Sequence, residues 1–300
     1  MNSAEKLSHL SRTAAEKIML SDAERIEHIL KHKWIGYPAA QRILDQLEDL
    51  LKHPRQSRMP NLLITGETNN GKTLLIEHFR QAHRADPNLD GDAVRIPVLY
   101  VQAPPGPDER GLYNSILGLL FKRLKAAEST DQKRDRVVSV LKEVELGMIV
   151  IDEIHHLLAG PMLKQRSFLN VIKYLGNELC VPIVGAGTAD AIRAIQVDPQ
   201  IQNRFVPTVL PRWELNADFA RLLASFERVI PLMNSSNLTE KTMASRLLFM
   251  SGGTIGELSQ LLNQAAIWSI KHKTERIDFN ALDNCGYIRP AERKSVAARL

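Results

Sequence analysis

The chain has few cysteines, no long apolar run and no strong excess of either charge. Cys180 and Cys285 are the only cysteines in 300 residues. That is too few for a disulfide framework or a zinc site, and a reducing, cytoplasmic setting is expected. No apolar run reaches the ~18–20 residues that span a bilayer, so no membrane partner is expected. The opening stretch MNSAEKLSHLSRTAAEKIML mixes its charges and has no continuous apolar core, so no signal peptide is read there. Internal repeats and low-complexity segments are missing too. Lys and Arg total 39 against 34 Asp and Glu, giving a net charge of +5 and a pI near 9.2. This balance permits nucleic-acid binding without requiring it. At 44% hydrophobic and 24% charged, the chain can bury a sizeable core as one large domain or two smaller ones.

Residues 1–57 read as a polar-rich helical segment interrupted by the turn Trp34-Ile-Gly-Tyr-Pro38 and closed by the loop His53-Pro-Arg-Gln-Ser-Arg-Met-Pro60. From residue 58 to 213 short apolar runs at 61–65, 96–102, 147–152, 181–186 and 206–210 alternate with helical patterns at 73–84, 110–126, 132–144, 166–179 and 189–196. Runs that are apolar throughout, rather than alternating, belong to a parallel sheet covered on both faces. The expected class is α/β with five parallel strands. After Trp213 only helical patterns remain, at 217–230, 239–251, 255–272 and 278–284, giving a small all-helical domain over 214–286. Residues 287–300 form a basic C-terminal tail expected to be loosely held.

Two motifs carry the chemistry. Gly66-Glu67-Thr68-Asn69-Asn70-Gly71-Lys72-Thr73 fits G-x-x-x-x-G-K-[ST], the phosphate-binding loop, and has a strand before it and a helix from Leu74 after it. Its glycines let successive N–H groups turn inward onto phosphate oxygens, aided by the helix N-terminus. Lys72 reaches the β/γ-phosphates and the Thr73 hydroxyl ligates Mg²⁺. The second motif, Leu146-Gly-Met-Ile-Val-Ile-Asp-Glu153, is an apolar strand ending in two carboxylates. Asp152 holds Mg²⁺ through water, and Glu153 suits a general base for the attacking water. ATP and Mg²⁺ are therefore the expected ligands.

Four further positions extend the site. Thr188, after Val184-Gly-Ala-Gly, suits a γ-phosphate or water contact, and equally a helix N-cap. Arg204, just before the fifth strand, suits an arginine finger for a neighbouring subunit or a surface salt bridge, with Arg193 as the less favoured finger. Ile35 and Tyr37, in the one apolar turn ahead of the first strand, are expected near the adenine. His155 and His156 are expected to be structural, because adjacent helical residues point in different directions and share an ion poorly.

In this order the strand, phosphate loop, DE strand tip, polar strand tip, Asn203-Arg204-Phe205 and helical lid resemble an AAA+ ATPase. More narrowly, the chain resembles the TniB family of transposition ATPases and its TnsC and IstB-like relatives. The resemblance rests on the stretches 58–73, Ile151-Asp-Glu-Ile-His-His-Leu-Leu-Ala-Gly160 and 168–179. Gln202-Asn-Arg-Phe205, Leu210-Pro-Arg-Trp213 and Gly253-Thr-Ile-Gly-Glu-Leu258 add to it. It runs from about residue 25 to 290, and in one place the pattern departs. Many AAA+ lids carry an arginine after a glycine at the start of a lid helix, whereas here Gly256 is followed by Glu257.

The resemblance implies an ATP-dependent regulator of DNA transposition that assembles on double-stranded DNA as a ring or helical filament. It would work at the bacterial nucleoid and connect target DNA with a TniA/TnsB-like transposase and a TniQ-like target-selection protein. A helicase loader of the IstB/DnaC type and a signalling or secretion ATPase of the ExeA type would use the same ATP site. For DNA, Lys122, Arg123 and Lys125 are the expected backbone contacts, read as one face of the helix over 110–126, with a second basic cluster at Lys133-Arg-Asp-Arg136.

Overall fold

The computed structural model describes residues 7–31, 33–89, 94–125 and 127–297, with backbone alone for 294–297. Parts of the sequence readings fall on 1–6, 32, 90–93, 126 and 298–300 and lie outside the described residues. The chain divides into two compact units. One comprises residues 39–68 and 72–211, and the other residues up to 38, Asn69–Gly71 and residues from 212 on.

In the first unit the apolar runs form β1 (Asn61–Gly66), β2 (Val98–Gln102), β3 (Met148–Asp152), β4 (Ile183–Gly187) and β5 (Phe205–Leu210). They pair in the order β2-β3-β4-β1-β5, every neighbour parallel, with Leu62 opposite Val184 and Ile149 opposite Ile183. Every residue of β3 and β4 is buried, as a sheet covered on both faces requires. β5 departs from the expectation of buried strands. It lies at an edge, carries Pro207 and exposes Val206 and Val209. The helices of this unit include Lys72–Ala82, Glu109–Leu119, Thr130–Glu143, Met162–Leu179 and Asp190–Gln196. One core holds them to the sheet, with Leu112, Tyr113, Ile116, Val137, Leu141, Phe168 and Ile172 packed among β-strand residues.

One helix ends sooner than its pattern suggests. The expected helix over 110–126 stops at Leu119. The Phe121 N–H donates to the Gly118 carbonyl at 3.0 Å and the Lys122 N–H to the Leu117 carbonyl at 2.9 Å, with Phe121 left-handed at φ 53°. This is a Schellman closure, which satisfies the last carbonyls and turns the chain out of the helix axis. Lys122, Arg123 and Lys125 therefore stand on a loop, not on a helix face.

The second unit is helical. It contains Arg12–Lys17, Asp22–Leu30, Ala217–Val229, Lys241–Ser251, Ile255–Lys271, Phe279–Asn284 and Pro290–Ala297. The last of these orders most of the tail read as loose. Ile29, Phe219, Leu223, Leu247, Leu261 and Leu262 share its core. Among the described residues no helix is long and apolar enough to cross a membrane.

Arg25 is buried in this unit. Its guanidinium donates to Glu275 Oε1 at 3.0 Å and to the Pro231 carbonyl at 2.8 Å, and Glu275 Oε2 also accepts from the Met233 N–H at 3.2 Å. Removing one member of such a pair strands a buried charge. Arg25→Ala is expected to cost about 3 kcal/mol in chemical denaturation. A loss below about 1 kcal/mol would mean that solvent replaces the arginine.

Candidate functional site

The stretch Gly66–Thr73 runs from the C-terminal end of β1 into the helix Lys72–Ala82, the strand–loop–helix setting a phosphate loop needs. Two left-handed residues curl it, Asn69 at φ 61° and Gly71 at φ 84°. Gly66 stays in the extended strand, so Asn69 takes the turn expected of a second glycine, as asparagine tolerates that region better than most. Glu67, Thr68 and Asn69 are exposed at the rim, Asn70 is buried, and Thr73 and Leu74 begin the exposed side of the helix. The Lys72 ammonium is buried and folds back onto the loop, donating to the Gly66 carbonyl at 2.9 Å and the Glu67 carbonyl at 2.8 Å. Burial lowers its pKa, against the raising pull of Glu153, Asp152 and Glu67.

Asp152 ends β3 with 2% of its surface exposed. Its Oδ2 accepts from the Thr73 hydroxyl at 2.9 Å and the Tyr100 hydroxyl at 2.8 Å, and its Oδ1 from the Glu153 N–H at 2.8 Å. The two expected Mg²⁺ ligands are thus brought together. A hydroxyl beside a carboxylate is a hard-oxygen donor set that fits this ion. Tyr100, on β2, was missed in the sequence because it reads as one more strand residue. Burial, then the bond to Asp152, raises its pKa.

Glu153 follows in the left-handed region, φ 55° and ψ 35°, at the head of a 3₁₀ turn, Ile154–Ala159. A non-glycine residue held there stores strain, which clusters at functional sites. The His155 Nε2 lies 3.2 Å from Glu153 Oε2. The two histidine rings sit 4.9 Å apart by their centroids. Donor atoms of Glu153, His155 and His156 all lie within 4.8 Å of one another, closer than divergent helical neighbours would be. The tighter 3₁₀ turn and the left-handed Glu153 account for the difference.

Thr188 follows β4, and its carbonyl accepts the Ala191 N–H at 2.9 Å. No side chain caps the helix Asp190–Gln196, so its hydroxyl is not spent as a cap. Arg204 is at the other end of the sheet. Its carbonyl accepts the Asn61 N–H at 3.0 Å where β1 begins, and its guanidinium donates to Asn177 Oδ1 at 2.8 Å, a neutral partner. β1 is six residues long and parallel to β5. At about 3.3 Å per residue, Arg204 stands ~20 Å from the phosphate loop of its own chain. Arg193 pairs with Asp190 at 3.2 Å on an exposed helix face.

In the helical unit, Asn69–Gly71 meet the first turn of the helix Ile255–Lys271. The Gly256 N–H donates to the Asn69 carbonyl at 2.9 Å, and the Asn69 amide nitrogen donates to Glu257 Oε1 at 3.0 Å. A Cβ on Gly256 would lie 2.0 Å from Asn69 Oδ1, so the approach requires glycine. Burial alone would raise the Glu257 pKa, yet bonds from Arg293, Tyr287 and Asn69 hold it below the usual carboxylate range. Ile35 is buried in the helical core. Tyr37 packs edge-on against Trp213, ring centroids 5.0 Å apart, with burial pushing its pKa up to about 12. A Cβ at Gly71 would lie 3.9 Å from the Tyr37 hydroxyl, which puts that tyrosine beside the loop tip.

On the loop after Leu119, Arg123 and Lys125 are exposed, and Lys122 lies 4.0 Å from Glu143. The second basic cluster is not a free surface. Lys133, 2% exposed, donates to the Lys125 carbonyl at 3.3 Å, and Arg136 donates to the Arg123 carbonyl at 2.8 Å and to Glu128 at 3.0 Å. These inward cations pin the loop backbone so that its own side chains face solvent. Phe121, 98% exposed, stands among them.

The model for the family described as Bacterial TniB protein matches residues 25–215. No curated protein matches the chain. Among solved structures, the Aeropyrum pernix ORC1 protein in complex with DNA aligns at a TM-score of 0.57 and 17% identity, covering 90% of this chain and 69% of that one. Drosophila ORC bound to DNA aligns at 0.57 and 12%, covering 95% and 70%. The Thermotoga maritima RuvB Holliday junction branch migration motor aligns at 0.50 and 13%, covering 88% and 76%. At these identities the likeness establishes the fold, α/β of the AAA+ type, as the sheet order and phosphate loop also require.

Proposed function

The chain belongs to the bacterial TniB family, and from that premise we propose that it is an ATPase that assembles on DNA to regulate transposition, connecting target DNA with a transposase and a target-selection protein. The observation that carries the ATPase part is the hydrogen bond of Thr73 to Asp152 beside Lys72 and Glu153. Lys72 leaves the carbonyls of Gly66 and Glu67 for the β/γ-phosphates. Thr73 and Asp152 would hold Mg²⁺, which would neutralise charge on the transferring phosphate. Glu153 takes the proton of the attacking water, held toward it by His155, and Thr188 contacts the γ-phosphate or that water. Ile35 and Tyr37 wall the adenine. The transposition part rests on the family, and the DNA part also on the exposed cationic loop. Two of the similar structures are DNA-bound.

Lys72→Ala is expected to lose ATP binding, whereas Glu153→Gln binds ATP and hydrolyses it at least ~100-fold more slowly. Equilibrium binding of a fluorescent ATP analogue and phosphate release separate the two. Parental hydrolysis by Glu153→Gln would remove the base assignment.

Arg204 lies too far from its own phosphate loop to act there, so it acts on the neighbouring subunit. Arg204→Ala homo-oligomers are expected to lose roughly 10³-fold or more in turnover. Mixing them with Lys72→Ala subunits restores part of the rate, since one partner supplies the nucleotide and the other the arginine. Mixtures that stay inactive at every ratio would make Arg204 structural.

The loop cations meet phosphates and carry little sequence information. Replacing Lys122, Arg123 and Lys125 together by alanine should weaken duplex binding while ATP binding persists. It should also flatten the salt dependence by roughly 0.9 log units per decade for each phosphate the loop no longer neutralises. An unchanged slope in a salt titration would place the DNA surface elsewhere.

A further inference from the structure

Glu257 occupies the position where an AAA+ lid helix often has an arginine close by, and it is not an idle substitution. It is 8% exposed, and its carboxylate takes bonds from three residues on two separate segments. Asn69 Nδ2 donates to Oε1 at 3.0 Å and the Tyr287 hydroxyl to Oε2 at 2.7 Å. The Arg293 guanidinium grips both oxygens, Nη1 to Oε1 at 3.0 Å and Nη2 to Oε2 at 2.7 Å. Its remaining edge, Nε, donates to the Ile288 carbonyl at 2.8 Å, and the group lies 5.4 Å from the Tyr287 ring centroid. All three nitrogens of the guanidinium donate, and the Nη1 and Nη2 bonds make the pair with Glu257 bidentate. On the other side, Asn69 is held left-handed by the same carboxylate and by the Gly256 N–H, and Asn70 Oδ1 accepts the Ile255 N–H at 3.4 Å.

This arrangement poses an electrostatic problem. A carboxylate one hydrogen bond from Asn69 adjoins the tip of the anion-binding loop, and at low effective dielectric an uncompensated charge there repels a polyphosphate. Arg293 supplies the compensation from the chain's C-terminal segment. We propose that Tyr287–Arg293 belongs to the nucleotide-binding apparatus, with Arg293 as a positioning residue. It neutralises Glu257, so that Glu257 can hold Asn69 in the loop's binding conformation without opposing a nucleoside triphosphate. The inference rests on the phosphate-loop reading above and adds a part of the chain that no motif marks.

The test is a four-way comparison of affinity for a fluorescent ATP analogue: parent, Arg293→Ala, Glu257→Gln, and the double variant. Arg293→Ala is expected to weaken binding about tenfold, and the deficit shrinks as salt screens the exposed carboxylate. Glu257→Gln removes the charge while its amide carbonyl can still accept from Asn69, and it serves as the baseline against which the double variant is read. The double variant recovers most of the affinity, and Arg293→Lys, which keeps the charge, stays within about threefold of the parent. Parental affinity in Arg293→Ala overturns the proposal. So does a double variant as weak as Arg293→Ala, because that pattern follows from a direct phosphate interaction or from misfolding. Lys72→Ala measured alongside isolates the underlying reading. If it binds as the parent does, the phosphate loop is misassigned, whatever Arg293 does.

Discussion

A buried carboxylate must be surrounded by donors, and Asp152 is the residue around which the α/β unit is arranged. Its three donors come from three places: Thr73 at the start of the loop helix, Tyr100 on β2 and the backbone of Glu153. The demand has a topological consequence. β4 lies between β1 and β3, so the loop leaving β1 reaches Asp152 only across the end of β4. The residues of β4 there are small. A Cβ on Gly185 would come within 3.1 Å of Ile154 and Leu63, and one on Gly187 within 3.0 Å of His155 Nδ1 and Ala191. Val184-Gly-Ala-Gly187 is narrow so that the 3₁₀ turn after Glu153 can sit against it. The strained backbone of Glu153 belongs to the same arrangement, since it redirects the chain immediately after the carboxylate that must stay inside.

This explains which parts of the protein could be read from the sequence. Strands buried on both faces, β3 and β4 above all, leave continuous apolar runs, and β5 was legible from its apolar run although it lies at the edge and exposes Val206 and Val209. The phosphate loop and β3 tip were legible because their residue types sit at fixed offsets from those strands. The helix ending at Leu119 was not. Leu120 and Leu124 continue an apolar spacing that looks helical, whereas the end is set by backbone bonds from Phe121 and Lys122, and a left-handed phenylalanine leaves no compositional mark. The orientation of the basic cluster at 133–136 was not legible for a related reason. Charge in a sequence does not say which way a side chain points, and Lys133 and Arg136 point inward onto loop carbonyls. Tyr100 and Arg293 were missed because their partners are 52 and 36 residues away, and no local pattern connects such pairs.

The two ends of the sheet bear different groups, and this shapes how the chain can work on the proposed reading. Lys72, Thr73, Asp152 and Glu153 gather at the C-terminal ends of β1 and β3, as ligands do in open parallel sheets. Arg204 is fixed at the opposite end by its backbone bond to Asn61 and its side-chain bond to Asn177. No rotamer of an arginine covers the ~20 Å between them. On the proposed reading, a single chain carries a nucleotide pocket that its own Arg204 cannot serve, and Arg204 would serve a neighbour's. Joined head to tail, each subunit completes the next, and such a heterologous interface closes into a ring or continues as a helix. Turnover then depends on having a neighbour, so an ATPase of this kind hydrolyses where it has assembled. If, as proposed, the assembly is seeded on DNA through a loop that meets phosphates and not bases, that turnover would be confined to DNA without being restricted to one sequence.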